Sequence, residues 1–243
     1  TTHSPYVLAE MDQVNLVRIY NADKIVSSSV LYNVPTEFKT QRKMLNQGLV
    51  EAIFADTVLL VEGPSENVLF GKILSVINPF YEADGIYILP VNGFGFRPYF
   101  EILEALEIDT IIKTDNDLRK IKGKEEYSVL GFSRLNNYIG EKLLPTDPIG
   151  EKGVEAKRKL YDNNKETLDQ IRDKYSLYLS RCSLEEDLDE VIHTKMVEYL
   201  TQAEGDVIGY LQDAKNNHMV ELVEKLTPED CKCIFEHYNF ACL

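Results

Sequence analysis

Three acidic residues stand where a parallel sheet does its chemistry. Glu62 directly follows the apolar, β-branched run Thr57-Val58-Leu59-Leu60-Val61, and Asp115 and Asp117 come just after Thr110-Ile111-Ile112-Lys113. Functional groups in such a sheet gather at the carboxyl ends of its strands, beside helix N-termini. Gly63 and Pro64 permit a tight turn from Glu62 into a helix. The i, i+2 spacing of Asp115 and Asp117 lets two carboxylates project from one extended segment. Carboxylates that converge without equal numbers of basic partners repel one another unless a hard divalent cation lies between them, and Mg²⁺ or Mn²⁺ suits an all-oxygen set. Taken singly, Glu62 reads as an acid favoured by a helix dipole, and Asp115 and Asp117 as loop residues. Their joint position on two strand ends is what points to a metal site.

The elements that must hold these acids are legible from periodicity. Residues 57–61, 86–89 and 110–113 are short apolar runs, while 66–77 and 97–106 repeat at helical spacing. Strands that are almost continuously apolar and separated by helices of ten or more residues indicate a parallel sheet covered on both faces, hence an α/β fold. Before them, residues 1–56 read as a lead-in whose apolar spacing at 49–54 suits a helix packed on the sheet. After the turn-rich linker 145–150 the chain becomes charged and helical over 151–174, 184–200 and 205–225. We therefore expect three parts: 1–56, a core at 57–150, and a helical extension at 151–243.

Composition sets the bounds. The 243 residues carry a net charge of −14, with 44% hydrophobic and 27% charged residues, as in an ordinary globular protein. No stretch reads as a membrane span or a signal peptide, so the chain reads as cytoplasmic and without membrane contact. The negative charge argues against a general polyanion-binding surface, although basic clusters occur at 119–124 and 157–159 and metal-rich sites are neutralised by their cations. Cys182, Cys231, Cys233 and Cys242 lack paired Cys-x-x-Cys spacing, and isolated thiols fit them better than a zinc site with His237. His193 and His218 read as partly buried or surface histidines. Arg134, in Gly131-Phe132-Ser133-Arg134, suits either a phosphate or an acid.

The run Val58-Leu59-Leu60-Val61-Glu62-Gly63-Pro64-Ser65-Glu66 and the Asp115-Asn116-Asp117 triplet resemble the glutamate and Asp-x-Asp motifs of TOPRIM domains, found in topoisomerases, primases and several nucleases. The Glu-Gly-x-x-Glu pattern ending at Glu66 is similar to that of the overcoming-lysogenization-defect (OLD) family of nucleases. Thr1-Thr2-His3-Ser4-Pro5 resembles the histidine switch of the ABC-type ATPase domain that precedes TOPRIM in that family. Ser183-Leu184-Glu185-Glu186-Asp187-Leu188 resembles its late acidic motif. Within the family the chain looks most like the nuclease subunits of anti-phage systems such as Gabija.

The resemblance implies a TOPRIM-type parallel sheet flanked by helices, with a C-terminal helical extension, acting as a metal-dependent DNA endonuclease. It implies one or two Mg²⁺ or Mn²⁺ ions shared by Glu62, Glu66, Asp115, Asp117, Glu185 and Asp187, and a lysine to stabilise charge on the phosphate. Lys215 is our choice for that lysine, downstream of the acidic motif in Asp213-Ala214-Lys215-Asn216-Asn217, with Lys195 as runner-up. The late motif carries a geometric condition. Glu185 and Asp187 lie about 200° apart on a helix, so both face one ion only from an extended segment or a helix start. With no Gly-x-x-x-x-Gly-Lys-Ser/Thr loop in the sequence, ATP enters only through an upstream ATPase domain, and the chain is expected to be a C-terminal fragment of a longer protein. The expected partners are DNA, that ATPase domain, a helicase-like protein and a second copy in a homo-oligomer. Two other readings compete: a topoisomerase or primase module, which for a topoisomerase needs a tyrosine nucleophile on another domain, and a non-catalytic TOPRIM scaffold, which the full set of motif acids disfavours.

Overall fold

The structure is a computed structural model and describes residues 3–4, 15–23, 26–33, 47–93 and 95–243. Of the expected histidine switch, His3 and Ser4 are described, His3 exposed, and Thr1, Thr2 and Pro5 lie outside the described residues. The lead-in contains more than a helix. Strands β1 (Asn15–Asp23) and β2 (Val26–Asn33) pair antiparallel, with Arg18 opposite Val30. Arg18 fastens this hairpin to the main body of the fold, donating to the carbonyls of Leu106, Glu107 and Ala55 at 3.2, 2.9 and 2.9 Å.

Helix α1 (Gln47–Ala52) leads into β3 (Thr57–Val61), and the chain then alternates through α2 (Pro64–Ile77), β4 (Ile86–Pro90), α3 (Arg97–Ala105) and β5 (Asp109–Thr114). A short antiparallel hairpin, β6 (Leu118–Lys120) and β7 (Tyr127–Val129), runs directly into α4 (Leu130–Ile139). Beyond the linker come α5 (Val154–Asn163), α6 (Lys165–Tyr175), β8 (Leu177–Leu179), α7 (Leu184–Tyr199), α8 (Val207–Asp213), α9 (Lys215–Lys225) and α10 (Pro228–Phe235). Among the described residues no helix is long and apolar enough to cross a membrane.

Four strands form one sheet in the order β4-β3-β5-β8, every neighbouring pair parallel. The sheet is covered on both sides, which is why β3 is apolar at every position after its first. Val58 and Leu60 face a core built with α1, α3, α4 and α6, whereas Leu59 and Val61 face α2 and the helices α7 to α10. The fold is therefore the expected α/β parallel sheet flanked by helices, with one addition. The fourth strand is drawn from 177–179, beyond the linker, so residues after 150 contribute to the sheet as well as to the helical layer. Three residues of Leu-Tyr-Leu between two charged helices are too few to stand out by periodicity alone.

Candidate metal centre

Pairing β3 with β5 in parallel brings the two acid-bearing strand ends side by side. Leu60 lies opposite Ile112, and the next residues meet through their polar groups. Glu62 Oε1 accepts from the Thr114 hydroxyl at 2.6 Å and from the Asp115 backbone N–H at 3.0 Å. Both donors are fixed by the strand, so Glu62 is held by β5 rather than by its own turn. Asp115 and Asp117 do not leave an extended segment together, because Asp117 N–H closes back on the Asp115 carbonyl at 3.0 Å. Asp117 thereby turns towards two cations: Arg134 Nη2 at 3.0 Å and Lys157 Nζ at 3.9 Å. Between the two acids, Asn116 is fully buried. Its amide donates to the carbonyls of Lys157 and Arg181 at 2.9 and 3.1 Å, tying the motif to α5 and to the loop before α7.

Glu66 enters from the first turn of α2 and Glu185 from the first turn of α7, both buried. The Glu66 carboxylate accepts from Gly63 N–H at 3.2 Å, as a glutamate at the third helical position often does. It is nevertheless not at ease as an anion. Burial, reinforced by the charges of Glu62 and Glu185, outweighs two backbone hydrogen bonds and pushes its pKa up to about 7. Asp115 is raised well above the usual carboxylate range, first by burial and then by Glu62, Glu66, Glu185 and Asp117. Five acids from β3, α2, the 115–117 turn and α7 thus act on one another, and Asp115 is the one on which all their fields meet.

This arrangement fits a hard divalent cation. No donor among the described residues reaches the Asp115 carboxylate, whose neighbours are acids, and an ion shared by oxygens relieves such crowding. Among the described residues no three His, Cys, Asp or Glu side chains are drawn together into a ready cage. All but Asp115 lean instead on an internal donor, Glu62 and Asp117 on Arg134, Glu66 on the Gly63 N–H and Glu185 on the Ser183 hydroxyl. Ser183 stands at the start of α7, where its hydroxyl donates to Glu185 and Glu186 rather than capping backbone N–H groups.

Asp187 points elsewhere. Its carboxylate pairs with Lys113 Nζ at 2.8 Å and accepts from Arg181 N–H at 3.3 Å, with the lysine and aspartate side chains almost fully buried. The angular separation of residues two apart on a helix explains this, since Glu185 faces the strand-end acids and Asp187 the underside of β5. Lys215 begins α9, and its side chain lies outside the described residues. Lys195 is exposed and paired with Glu198 at 2.8 Å. The basic clusters divide. Lys157 approaches Asp117, whereas Arg158, Lys159, Lys120 and Lys124 pair with nearby surface glutamates. His193 pairs with Asp189, His218 stacks on Tyr210, and His237 accepts from Asn239 N–H. Cys182, Cys231 and Cys242 are buried free thiols and Cys233 an exposed one.

Spacing does not mark Lys113 or Lys157 as part of the site. Lys113 reads as the polar end of a strand, and Lys157 as one of three adjacent basic residues. A lysine closing an otherwise apolar inward run is the available signal for the first.

Residues 53–117 match the family model described as "Overcoming lysogenization defect protein-like, TOPRIM domain". This segment is similar to an OLD-like TOPRIM domain. The matched segment starts in the approach to β3 and ends on Asp117, so it contains Glu62, Glu66 and both aspartates. Over its full length the chain is also 41% identical, across 254 aligned positions, to "Endonuclease GajA" of Bacillus cereus (strain VD045). It spans 44% of that curated relative, less than half its length. Two solved structures resemble it in shape: the C-terminal region of the Burkholderia pseudomallei OLD protein (TM-score 0.46, 18% identity, 78% of this chain and 100% of that one) and that of the Xanthomonas campestris pv. campestris OLD protein (TM-score 0.48, 21% identity, 79% and 96%).

Proposed function

We propose that this chain is the nuclease part of a DNA endonuclease that works with Mg²⁺ or Mn²⁺. The observation that carries the reading is the mutual electrostatic crowding of Glu62, Glu66, Asp115, Asp117 and Glu185, the first four within the segment that matches an OLD-like TOPRIM domain. In this proposal those five acids hold one or two divalent ions. Such ions lower the pKa of bound water and offset charge on the phosphate. The protein's own part is to fix the carboxylates on two strand ends and two helix starts, so that little rearrangement is needed when they are used. Asp187 enters as the counter-ion of Lys113, holding the first turn of α7 in place for Glu185. Lys215 and Lys157 are the candidates for stabilising charge on the phosphate. The name of the curated relative supports endonuclease activity, and the fraction of it matched is consistent with further domains in the same protein.

Three further points are inferred from the same likeness: an upstream ATPase domain as the route by which ATP acts, a helicase-like partner together with self-association, and a cytoplasmic role in anti-phage defence. In the division we propose, residues 1–56 join the ATPase to the nuclease, 57–150 form the TOPRIM core, and 151–243 supply a helical insertion together with the strand and helices that complete it. The test is incubation of supercoiled plasmid with the chain and Mg²⁺ or Mn²⁺. Nicked or linear product that disappears in EDTA and in Glu62→Gln is the expected result. Relaxed topoisomers point to a topoisomerase module, and unchanged DNA under all conditions to a scaffold.

A further inference from the structure

The acid cluster holds a protein cation of its own. Arg134, on the second turn of α4, sends Nη1 to Glu62 Oε1 at 2.9 Å and to the Thr114 hydroxyl at 3.1 Å, and Nη2 to Asp117 Oδ2 at 3.0 Å. One guanidinium therefore spans the carboxylates of Glu62, just after β3, and Asp117, in the turn after β5, two of the acids assigned above to a divalent ion. The base from which it reaches is fixed. The N–H groups of Leu130 and Gly131 donate to the Asp117 carbonyl at 2.8 and 3.3 Å, and a Cβ on Gly131 would stand 2.9 Å from the Asp115 carbonyl oxygen. Helix α4 is thus pressed against the 115–117 turn, and Arg134 is delivered from there.

Glu62 Oε1 is already saturated. It accepts from the Thr114 hydroxyl, the Asp115 N–H and Arg134, three donors on one oxygen that offers about two lone pairs. A metal ion can use that oxygen only if a donor leaves. The Asp115 N–H is backbone and Thr114 is buried, whereas Arg134 is the long, partly exposed side chain of the three. A guanidinium left against a divalent ion is also repelled by it.

We propose that Arg134 is a stand-in cation that exchanges partners. In the ion-free protein it neutralises Glu62 and Asp117. When a divalent ion takes those oxygens, the guanidinium is displaced to the mouth of the site, where its planar fork suits the phosphate oxygens of a nucleic acid backbone. The inference rests on the metal-site reading above, and it makes metal and phosphate binding linked: each promotes the other through Arg134.

The test uses the 243-residue chain and two readouts that do not need turnover. The first is calorimetric titration with Mn²⁺ of the wild type and of Arg134→Met, Arg134→Lys and Glu62→Gln. The second is binding of a short labelled DNA duplex in Ca²⁺ and in EDTA. Removing the competing guanidinium should tighten Mn²⁺ binding by about fivefold or more in Arg134→Met. Arg134→Lys, which keeps a charge but cannot bridge two carboxylates, should tighten it less and stands in if the methionine variant does not fold. Both variants should lose the increase in DNA affinity that Ca²⁺ gives the wild type, while binding in EDTA stays the same. Unchanged or weaker Mn²⁺ binding in the Arg134 variants, with Glu62→Gln still weakening it, overturns the exchange alone. If Glu62→Gln leaves Mn²⁺ binding unchanged, the metal-site reading itself falls.

Discussion

Lys113 Nζ lies 2.8 Å from Asp187 Oδ2 beneath the sheet, with both side chains nearly inaccessible to solvent, and so joins the end of β5 to the first turn of α7. The lysine also donates to the Asn239 carbonyl at 2.9 Å, which brings the C-terminal segment into the same knot. Burial alone pushes Lys113 towards neutrality, but the field of Asp187, helped by Cys242 and Asp115, outweighs it and raises its pKa above the ordinary lysine value. The lysine is therefore charged.

Breaking a buried pair from one side strands the other charge, at a typical cost of about 3–5 kcal/mol. Asp187→Asn should accordingly lower the urea midpoint strongly. Asp189→Asn, which loses only an exposed contact with His193, should leave it nearly unchanged. The double variant Lys113→Met/Asp187→Leu should recover most of the loss. Equal midpoints for Asp187→Asn and the wild type would show that the pair carries no stability. Any loss of DNA cleavage in Asp187→Asn is expected to come from a displaced Glu185, so added Mn²⁺ should restore part of the activity.

Much of this architecture was legible in the sequence, for a physical reason. Residues 57–61, 86–89 and 110–113 are apolar because helices cover both faces of the sheet, and Glu62 and Asp115 break that pattern where the strands emerge. Periodicity carries no such mark for β8 or for the hairpin 118–129, whose strands have three residues each. Nor can it say which way a side chain turns once a helix begins. Glu185 and Asp187 share a motif yet face different partners, and Arg134 lies 72 residues from Glu62 with nothing local to link them.

At the proposed metal site, Glu66 should tie metal affinity to pH. Its folded pKa of about 7 lies above the ordinary glutamate value, so between the two the folded protein holds a proton that the unfolded chain has released. A cation at this carboxylate must displace that proton. Apparent Mn²⁺ affinity is thus expected to fall by up to about tenfold per unit as pH drops below 7, and to level off above it. Calorimetry in two buffers of different ionisation enthalpy should show proton release at about pH 6 and little at about pH 8.5. Glu66→Gln should bind more weakly and with a flatter slope; an unaltered slope would remove Glu66 from the site.

Gly131→Ala tests how closely α4 must approach. Alanine normally favours a helix over glycine by about 1 kcal/mol. Here the new Cβ would meet the Asp115 carbonyl oxygen at 2.9 Å, Asn116 Cα at 3.0 Å and Leu179 Cδ1 at 3.1 Å, two of them backbone atoms that cannot swing aside. The clash should win by about 1–3 kcal/mol, lowering the melting temperature and pushing Arg134 away from Glu62. A melting temperature equal to or above the wild type's would show that the turn yields freely.

Asp115 gives the sharpest test, because stability and activity should move in opposite directions. Its folded pKa is raised by burial and by four neighbouring acids, so ionising it opposes folding. That penalty is absent below the unfolded carboxylate pKa of about 3.9 and grows as pH rises towards and through the folded value. Asp115→Asn keeps the shape of the protonated acid and removes the titration. In EDTA its melting temperature should match the wild type's near pH ~4 and exceed it at alkaline pH. Saturating Mn²⁺ should erase or reverse the difference, since the ion stabilises only the protein that binds it. Metal-dependent plasmid cleavage by the variant should be lost at every pH. Were Asp115→Asn less stable than the wild type in EDTA at alkaline pH, the carboxylate would be serving the fold, and its place at the centre of the acid cluster would need another explanation.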